Sequence, residues 1–297
     1  MTAPSGFGLR DTLIATAINV MWGFNLIATK MAVLATKPLT AGALRLLIVI
    51  VVCSPYLRRV PGRMGLVMLF AFINGALFLI VMTLALSVSR NVGALAIGGQ
   101  LGIPFSLLLG IVFLGERLSR RQVIGTLLAF AGVVVLVFDP VVVDEWRGLA
   151  LMTLGALIWA VSNLIQRRLA GVSVMTMFAW NGVVGAAVLI PLSLILEMDA
   201  VLLVPEIPAS AFAWIAFSAL GSTVVGQGAM AWLLQRHPVS SVMPLSLAAP
   251  VVAVLASSAI FDTAITPLMM LGGVMAIGGV GLLTITRRQV PVEAAGL

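Results

Sequence analysis

Apolar residues fill almost the whole chain in continuous runs, which short clusters of charged and polar residues separate. A helix that crosses a bilayer needs about 20 such residues. No run alternates apolar and polar positions as the strands of a membrane β-barrel do. The pattern therefore predicts one membrane domain over residues 1–297. The predicted fold is an all-α integral membrane protein with transmembrane helices at 11–30, 39–56, 64–87, 91–114, 121–138, 148–167, 174–196, 209–235, 239–261 and 266–286.

Composition and charge refine this picture. Hydrophobic residues make up 61% of the chain and charged residues 9%, whereas soluble proteins carry about 25% charged residues. A net charge of +7 could indicate nucleic-acid binding, but twelve basic residues fall on one side of the predicted membrane and four on the other. This is the positive-inside bias. It predicts cytoplasmic N- and C-termini and no nucleic-acid partner.

An internal repeat divides the chain into two halves. Over a long stretch, residue n of the first half matches residue n+146, and these pairs occupy equivalent points of the hydropathy pattern: Gly75 and Gly221, Arg90 and Arg236, Asn91 and His237, and Pro104 and Pro250. Nearer the N-terminus the offset shortens to 136–137, which pairs Trp22 with Trp159 and Arg45 with Asn181.

Each repeat covers five predicted spans, 11–138 and 148–286. Because five is odd, the second copy must enter the membrane in the opposite direction, so the ten helices form two inverted repeats around a central cavity. Inverted repeats are characteristic of secondary transporters, whose substrate site lies between the halves near the middle of the membrane. The alternative is an old duplication that was kept only for packing.

Polar residues inside the spans are the candidates for substrate contact, since a polar group in hydrocarbon is costly unless it faces a partner or water. Asn25 lies one turn after Trp22, and Asn163 lies one turn after Trp159, so each pair offers an aromatic wall and an amide on one face. The other candidates are polar side chains of spans three, four, eight and nine: Asn74, Gln100, Gln227 and Ser246. The alternatives are hydrogen bonds across helix contacts for the amides and packing for the tryptophans.

Two prolines and two basic residues add to the candidate site. Pro104 and Pro250 lie inside spans four and nine and predict either static kinks or hinges with freed carbonyl groups. Lys30 and Arg45 could attract a substrate carboxylate. For Lys30, at the outer end of the first span, we favour anchoring at the membrane boundary.

Glycines predict one close helix contact. Gly125 and Gly132 lie on one face of span five, and Gly272 and Gly279 lie on one face of span ten. Small residues at such spacing let helix backbones approach closely. We expect these two spans to pack together and not to bind substrate.

The residues that are missing from the spans also limit the mechanism. No Asp or Glu lies deep inside a predicted span, so we expect no carboxylate-based proton coupling but facilitated diffusion or uniport. One His, one Cys and no glycine-rich phosphate loop argue against an enzyme or a nucleotide-driven pump. No metal or other cofactor is expected.

Four motifs resemble the EamA-type family of the drug/metabolite transporter superfamily, and the resemblance covers essentially the whole chain. They are Trp22–Asn25 followed by Lys30, Arg45 within residues 43–46, the Pro104 span with residues 113–119 after it, and the Gly125/Gly132 span. The second half departs from the family pattern at residues 261–263, where the family usually has Gly-Glu.

The resemblance implies metabolite export, and the chain looks most like bacterial exporters of aromatic amino acids. Its expected partners are then a small amino acid substrate and membrane lipid, in the bacterial inner (plasma) membrane, and a monomer is the simplest expectation. A flippase for a lipid or a lipid-linked carrier is the alternative, because the same fold with an apolar cavity would suit it.

Overall fold

The computed structural model describes residues 8–114, 119–234, 236–237 and 247–284. Within these ranges every regular element is helical, which confirms the all-α prediction. Eight helices are long and apolar enough to cross a membrane, and two shorter apolar helices follow near the C-terminus. The chain is thus a multi-pass membrane protein.

We number the long helices in chain order. They are α1 (Leu9–Ala35), α2 (Pro38–Cys53), α3 (Met64–Val88), α4 (Val92–Phe113), α5 (Arg120–Val137), α6 (Trp146–Arg168), α7 (Val174–Leu196), α8 (Ala209–Met230), α9 (Ala248–Phe261) and α10 (Pro267–Thr284). The helical path of α8 continues to Leu234. A short helix, Met198–Leu202, links α7 to α8.

Local sequence accounts for several helix ends. Asn91 begins α4, because its Oδ1 accepts a hydrogen bond from the backbone N–H of Ala94 at 2.9 Å. Ser119 and Gln122 form a capping box at the start of α5. Thr266 precedes Pro267 and accepts from the N–H of Met269 at 3.0 Å, and proline is well suited to the first helical position.

Two segments of π-helix interrupt α3 and α8. They cover Ala71–Phe78 and Phe217–Gly226, so their first residues are separated by 146 positions, the offset of the sequence repeat. Wide helical turns of this kind are rare and often occur at functional sites. The same irregularity therefore recurs at equivalent places in the two halves.

The prolines in α4 and α9 occupy the beginning of helical segments. Pro104 is the third residue of the α-helical segment Gly102–Leu114 and follows a 3₁₀ turn at Gly99–Leu101, while Pro250 is the third residue of α9. A proline in the first turn does not cost an intrahelical hydrogen bond. In α4 the helix type changes from 3₁₀ to α just before Pro104.

Close packing of α5 against α10 confirms the prediction from the glycine pattern. A Cβ atom on Gly132 would lie 2.5 Å from the carbonyl oxygen of Gly272, and one on Gly125 would lie 2.7 Å from that of Gly279. No side chain larger than hydrogen fits at this contact without moving a backbone.

The other contacts are reciprocal between the halves. The first helix of each half packs against the third and fourth helices of the other half. Helix α1 packs against α8 and α9, and helix α6 packs against α3 and α4. Helix α2 packs against its equivalent α7. One face of α1 and one face of α6 therefore meet the opposite half of the molecule.

Candidate functional site

The crossing of α1 and α8 joins two of the predicted site residues to the π-helical segment of α8. The hydroxyl of Ser218 donates to Oδ1 of Asn25 at 2.8 Å, and the hydroxyl of Thr29 lies 3.2 Å from that of Ser218. Nε1 of Trp22 donates to the carbonyl oxygen of Ser222 at 3.3 Å. Trp22 and Asn25 thus share one helix face, and this face meets the second half of the protein.

The first helix of the second half makes comparable contacts. Ser162 on α6 donates to Oδ1 of Asn74, which lies in the π-helical segment of α3, at 3.3 Å. Nδ2 of Asn163 lies 3.4 Å from the hydroxyl of Ser106 on α4. The ring of Trp159 lies against Gly102, where a Cβ would be 2.6 Å from Cε3 of the ring. Trp159 and Asn163 therefore face α4.

The two crossings are related by the repeat. Each carries an Asn–Ser hydrogen bond between the first helix of one half and a π-helical segment of the other half. Asn25 and Ser162 are 137 residues apart, which is the repeat offset in this part of the chain. At the first crossing the first helix carries the amide and the π-helical segment the hydroxyl, and at the second crossing the reverse holds. The structure therefore brings Asn25 and Asn74 to equivalent crossings.

Two glutamines differ from these paired asparagines. Gln100 lies in the 3₁₀ turn of α4, Gln227 directly follows the π-helical segment of α8, and both are half-buried. Within the described part of the chain neither side chain makes a hydrogen bond, so both amides can accept and donate bonds to a ligand. Ser246 lies outside the described residues.

Arg45 is half-buried between α2 and α8. Its Nη2 donates to the hydroxyl of Thr223 at 3.1 Å, and among the described residues it forms no ion pair with a carboxylate. A cavity of about 10 Å³ lies beside it, lined by Thr29, Thr83 and Ser218 together with apolar side chains. A space of this size holds about one water molecule.

Lys30 is buried, whereas a boundary anchor would extend its side chain to the membrane surface. α1 continues past it to Ala35, its exposed fraction is 5%, and Nζ donates to the carbonyl oxygens of Leu86 at 2.6 Å and Ser89 at 2.7 Å. The boundary-anchor prediction is therefore wrong. The ammonium group is buried because carbonyls at the C-terminal end of α3 replace its water.

Lys37, the other lysine of the chain, is exposed. Its Nζ lies 2.5 Å from Oδ2 of Asp199, and both side chains are largely open to solvent. The hydrogen bond from Lys37 lowers the pKa of the Asp199 carboxyl below its ordinary value. Such an exposed pair contributes little to stability.

The sequence pattern did not reveal the hydroxyl groups that contact the predicted site residues. The amides stood out, whereas the side chains that contact them are Ser106, Ser162 and Ser218. Two further hydroxyls join the same contacts, because Thr29 bonds to Ser218 and Thr223 accepts from Arg45. Serine and threonine are common in apolar helices and bond easily to their own backbone, so they give a weak signal. A usable signal was the spacing of Ser218 and Ser222, one turn apart in an apolar span.

Comparison with known proteins identifies the family. The model of the EamA-like transporter family matches twice, at residues 12–138 and at residues 146–285. The chain belongs to the EamA-like transporter family. Members of this family are transporters and not enzymes, so this EamA-like chain is a membrane transporter with one copy of the family unit in each half.

Curated relatives and a solved structure extend along nearly the whole chain. A protein of Escherichia coli (strain K12) named "Probable amino-acid metabolite efflux pump" is 26% identical over 278 residues, which are 91% of this chain and 93% of that protein. A protein of the same name from Salmonella typhimurium is 24% identical, with the same coverage. A solved structure, titled only as the crystal structure of a protein, shares the fold with a TM-score of 0.61 at 20% identity over 93% of this chain and 96% of that one.

Proposed function

We propose that this EamA-like transporter exports amino acids, aromatic or other hydrophobic ones in particular, across the bacterial inner membrane. The two curated relatives are named amino-acid metabolite efflux pumps and match over 91% of the chain. In this proposal ten helices form two inverted repeats, 11–138 and 148–286, with both termini in the cytoplasm. Exchange of conformation between the halves exposes the substrate alternately to each side.

The observation that carries the site proposal is the pair of equivalent crossings between the halves. Trp22 and Trp159 supply aromatic surfaces, Asn25 and Asn163 lie one turn further along the same helices, and Gln100 adds an amide without a hydrogen-bond partner among the described residues. An amino acid needs polar groups for its amino and carboxylate groups and an apolar surface for its side chain. Asn74, Gln227 and Ser246 complete the proposed lining, with Pro104 and Pro250 as hinges.

Arg45 is the proposed attraction point for the substrate carboxylate. Its guanidinium is half-buried, contacts a neutral hydroxyl, and has no acidic partner in the described part of the chain. A cation inside a membrane protein is costly unless a charge or a polar cavity compensates it. Lys30 is less suited to this role, because two carbonyl oxygens already bind its ammonium group.

Transport in this proposal follows the substrate gradient without proton coupling. Among the described residues, the buried carboxylates are Asp139 and Glu197, which lie next to helix ends. Glu197 accepts hydrogen bonds from backbone N–H groups at the start of α2, and Asp139 accepts one from the hydroxyl of Thr266. Because these hydrogen bonds hold both carboxylates at helix ends, they are poorly placed to carry protons through the membrane. A uniport-like mechanism is the simplest that these residues support.

Uptake into proteoliposomes tests the proposal. Purified protein should give saturable uptake of labelled phenylalanine that survives collapse of the proton gradient, and protein-free liposomes should give none. Trp22→Ala and Trp159→Ala should each reduce uptake per amount of folded protein, which gel filtration measures, because both rings also pack across helix crossings and their removal lowers stability. Absence of flux for every amino acid, together with translocation of a labelled lipid in the same vesicles, would contradict export and favour a flippase.

A further inference from the structure

The two ends of the molecule are closed to different extents. The last segment of α3, Leu79–Val88, packs against α1 and α2. The repeat-equivalent segment of α8, Gln227–Leu234, makes no comparably extensive contact with α6 and α7 in the described part of the chain. Each half carries one copy of the family unit, and we interpret the difference between the two ends as one of conformation. The end that contains the C-terminus of α3 is the closed one.

Lys30 holds α1 to α3 at this closed end. Leu86 and Ser89 lie in the last turn of α3 and just after it, where helix carbonyls have no partner within the helix and carry the negative end of the helix dipole. The ammonium group of Lys30 donates to both carbonyl oxygens, at 2.6 and 2.7 Å, and is 5% exposed. Hydrogen bonds from a charged donor are among the strong ones in proteins.

Polar side chains lie within one turn of this contact. Thr29 precedes Lys30 on α1, Thr83 lies one turn before Leu86 on α3, and both line the small cavity that also contains Arg45 and Ser218. Thr83 has no exposed surface. Separation of the ends of α1 and α3 would open this polar cavity to the membrane surface and make Arg45 accessible.

We propose that Lys30 is the latch of a gate formed by the ends of α1 and α3, closed in this structure. Lys30 acts as a positioning residue that sets the population of the closed state and does not itself bind substrate. The proposal rests on alternating access as stated above. With the orientation that the charge distribution predicts, this gate faces the outside of the cell.

A single cysteine reporter tests the latch without any substrate. Cys53 is the only cysteine of the chain, so Cys53→Ala with Thr83→Cys leaves one thiol beneath the gate. Lys30→Met should raise the rate at which a membrane-impermeant, charged methanethiosulfonate modifies this thiol by about tenfold or more, since loss of charged hydrogen bonds shifts a two-state population by that order. Right-side-out and inside-out vesicles show from which side the gate opens.

Lys37→Met is the matched control, because Lys37 is the only other lysine and forms an exposed pair with Asp199 at 2.5 Å. It should leave the modification rate unchanged, and Lys30→Arg should restore part of the closure. Equal rates for the Lys30→Met and Lys37→Met variants, in protein with an unchanged gel-filtration profile, would overturn the proposal.

A second measurement needs no variant at Lys30. In the purified parent protein, an impermeant amine-acylating reagent followed by mass spectrometry should label Lys37 rapidly and Lys30 far more slowly. Equal labelling of the two lysines would overturn the latch even if Lys30→Met fails to fold. Neither measurement uses an amino acid, so failure of phenylalanine uptake with a positive gate result would refute the export proposal alone.

Discussion

Replacing Gly279 with alanine should destabilise the protein, whereas the same replacement at the neighbouring Gly278 should not. A Cβ atom on Gly279 would lie 2.5 Å from the backbone nitrogen of Ala129 and 2.6 Å from the carbonyl oxygen of Gly125. At Gly278 no heavy atom lies within 4 Å of the added carbon. The two glycines are adjacent on α10, so only one of the two substitutions forces α10 away from α5.

The magnitude follows from this contact. Overpacking of a well-packed interior costs about 1–3 kcal/mol. Alanine gains about 1 kcal/mol over glycine from helix propensity, but this gain applies to both variants and cancels in the comparison. We therefore expect the free energy of unfolding of Gly279→Ala to be lower than that of Gly278→Ala by about 1–3 kcal/mol.

Thermal unfolding in one detergent, followed by circular dichroism, measures the difference. The midpoint of Gly279→Ala should lie clearly below that of Gly278→Ala, and Gly278→Ala should match or exceed the parent protein. Equal midpoints for the two variants would refute the close α5–α10 contact. A lower midpoint for Gly278→Ala alone would place the opposite face of α10 in the interface.

Three further outcomes are expected. Glu197→Ala should lower the free energy of unfolding by about 2–4 kcal/mol, because the buried carboxylate accepts hydrogen bonds from the N-terminus of α2 at 2.8–3.1 Å. Glu206→Gln, at an exposed position, is the control, and equal thermal midpoints for the two variants would contradict the capping role of Glu197. Gln100→Ala should reduce phenylalanine uptake with no change in thermal midpoint, since its amide has no hydrogen-bond partner in the described structure to lose; unchanged uptake would remove it from the site. In a double-mutant cycle of Asn25→Ala and Ser218→Ala, the stabilities should couple by about 0.5–1.5 kcal/mol, and strict additivity would argue against their 2.8 Å hydrogen bond.

Much of the fold could be predicted from hydropathy and from small residues. The apolar runs placed most helices close to their observed bounds, because a membrane helix must supply its own backbone hydrogen bonds over a fixed thickness. The first part of the predicted span 239–261 lies outside the described residues, and α9 is described from Ala248. The Gly125/Gly132 and Gly272/Gly279 faces predicted the α5–α10 contact, since small residues that recur on one helix face allow another helix to approach closely. The π-helical segments at 71–78 and 217–226 had no such signal.

The sequence predicted which candidate site residues share a face of one helix, but not which residues of another helix they contact. The spacing of Trp22 and Asn25 predicted a shared face, and the structure shows that face against α8. The partner Ser218 lies 193 residues away, and a single sequence does not say which hydroxyl a given amide meets.

Lys30 shows the same limit more clearly. Its partners are backbone carbonyls of α3, which every residue possesses and which no sequence pattern can distinguish. Its position near a span end therefore resembled that of a boundary anchor, although the side chain turns inward to the end of another helix.

Counterflow of phenylalanine tests the central claim, amino acid export by alternating access, most directly. Proteoliposomes preloaded with unlabelled phenylalanine and diluted into a trace of labelled phenylalanine, without an ion gradient, should accumulate the label transiently above its external concentration. That overshoot requires a carrier site that faces one side at a time. Passive equilibration without an overshoot, or no movement of label at all, would contradict the account.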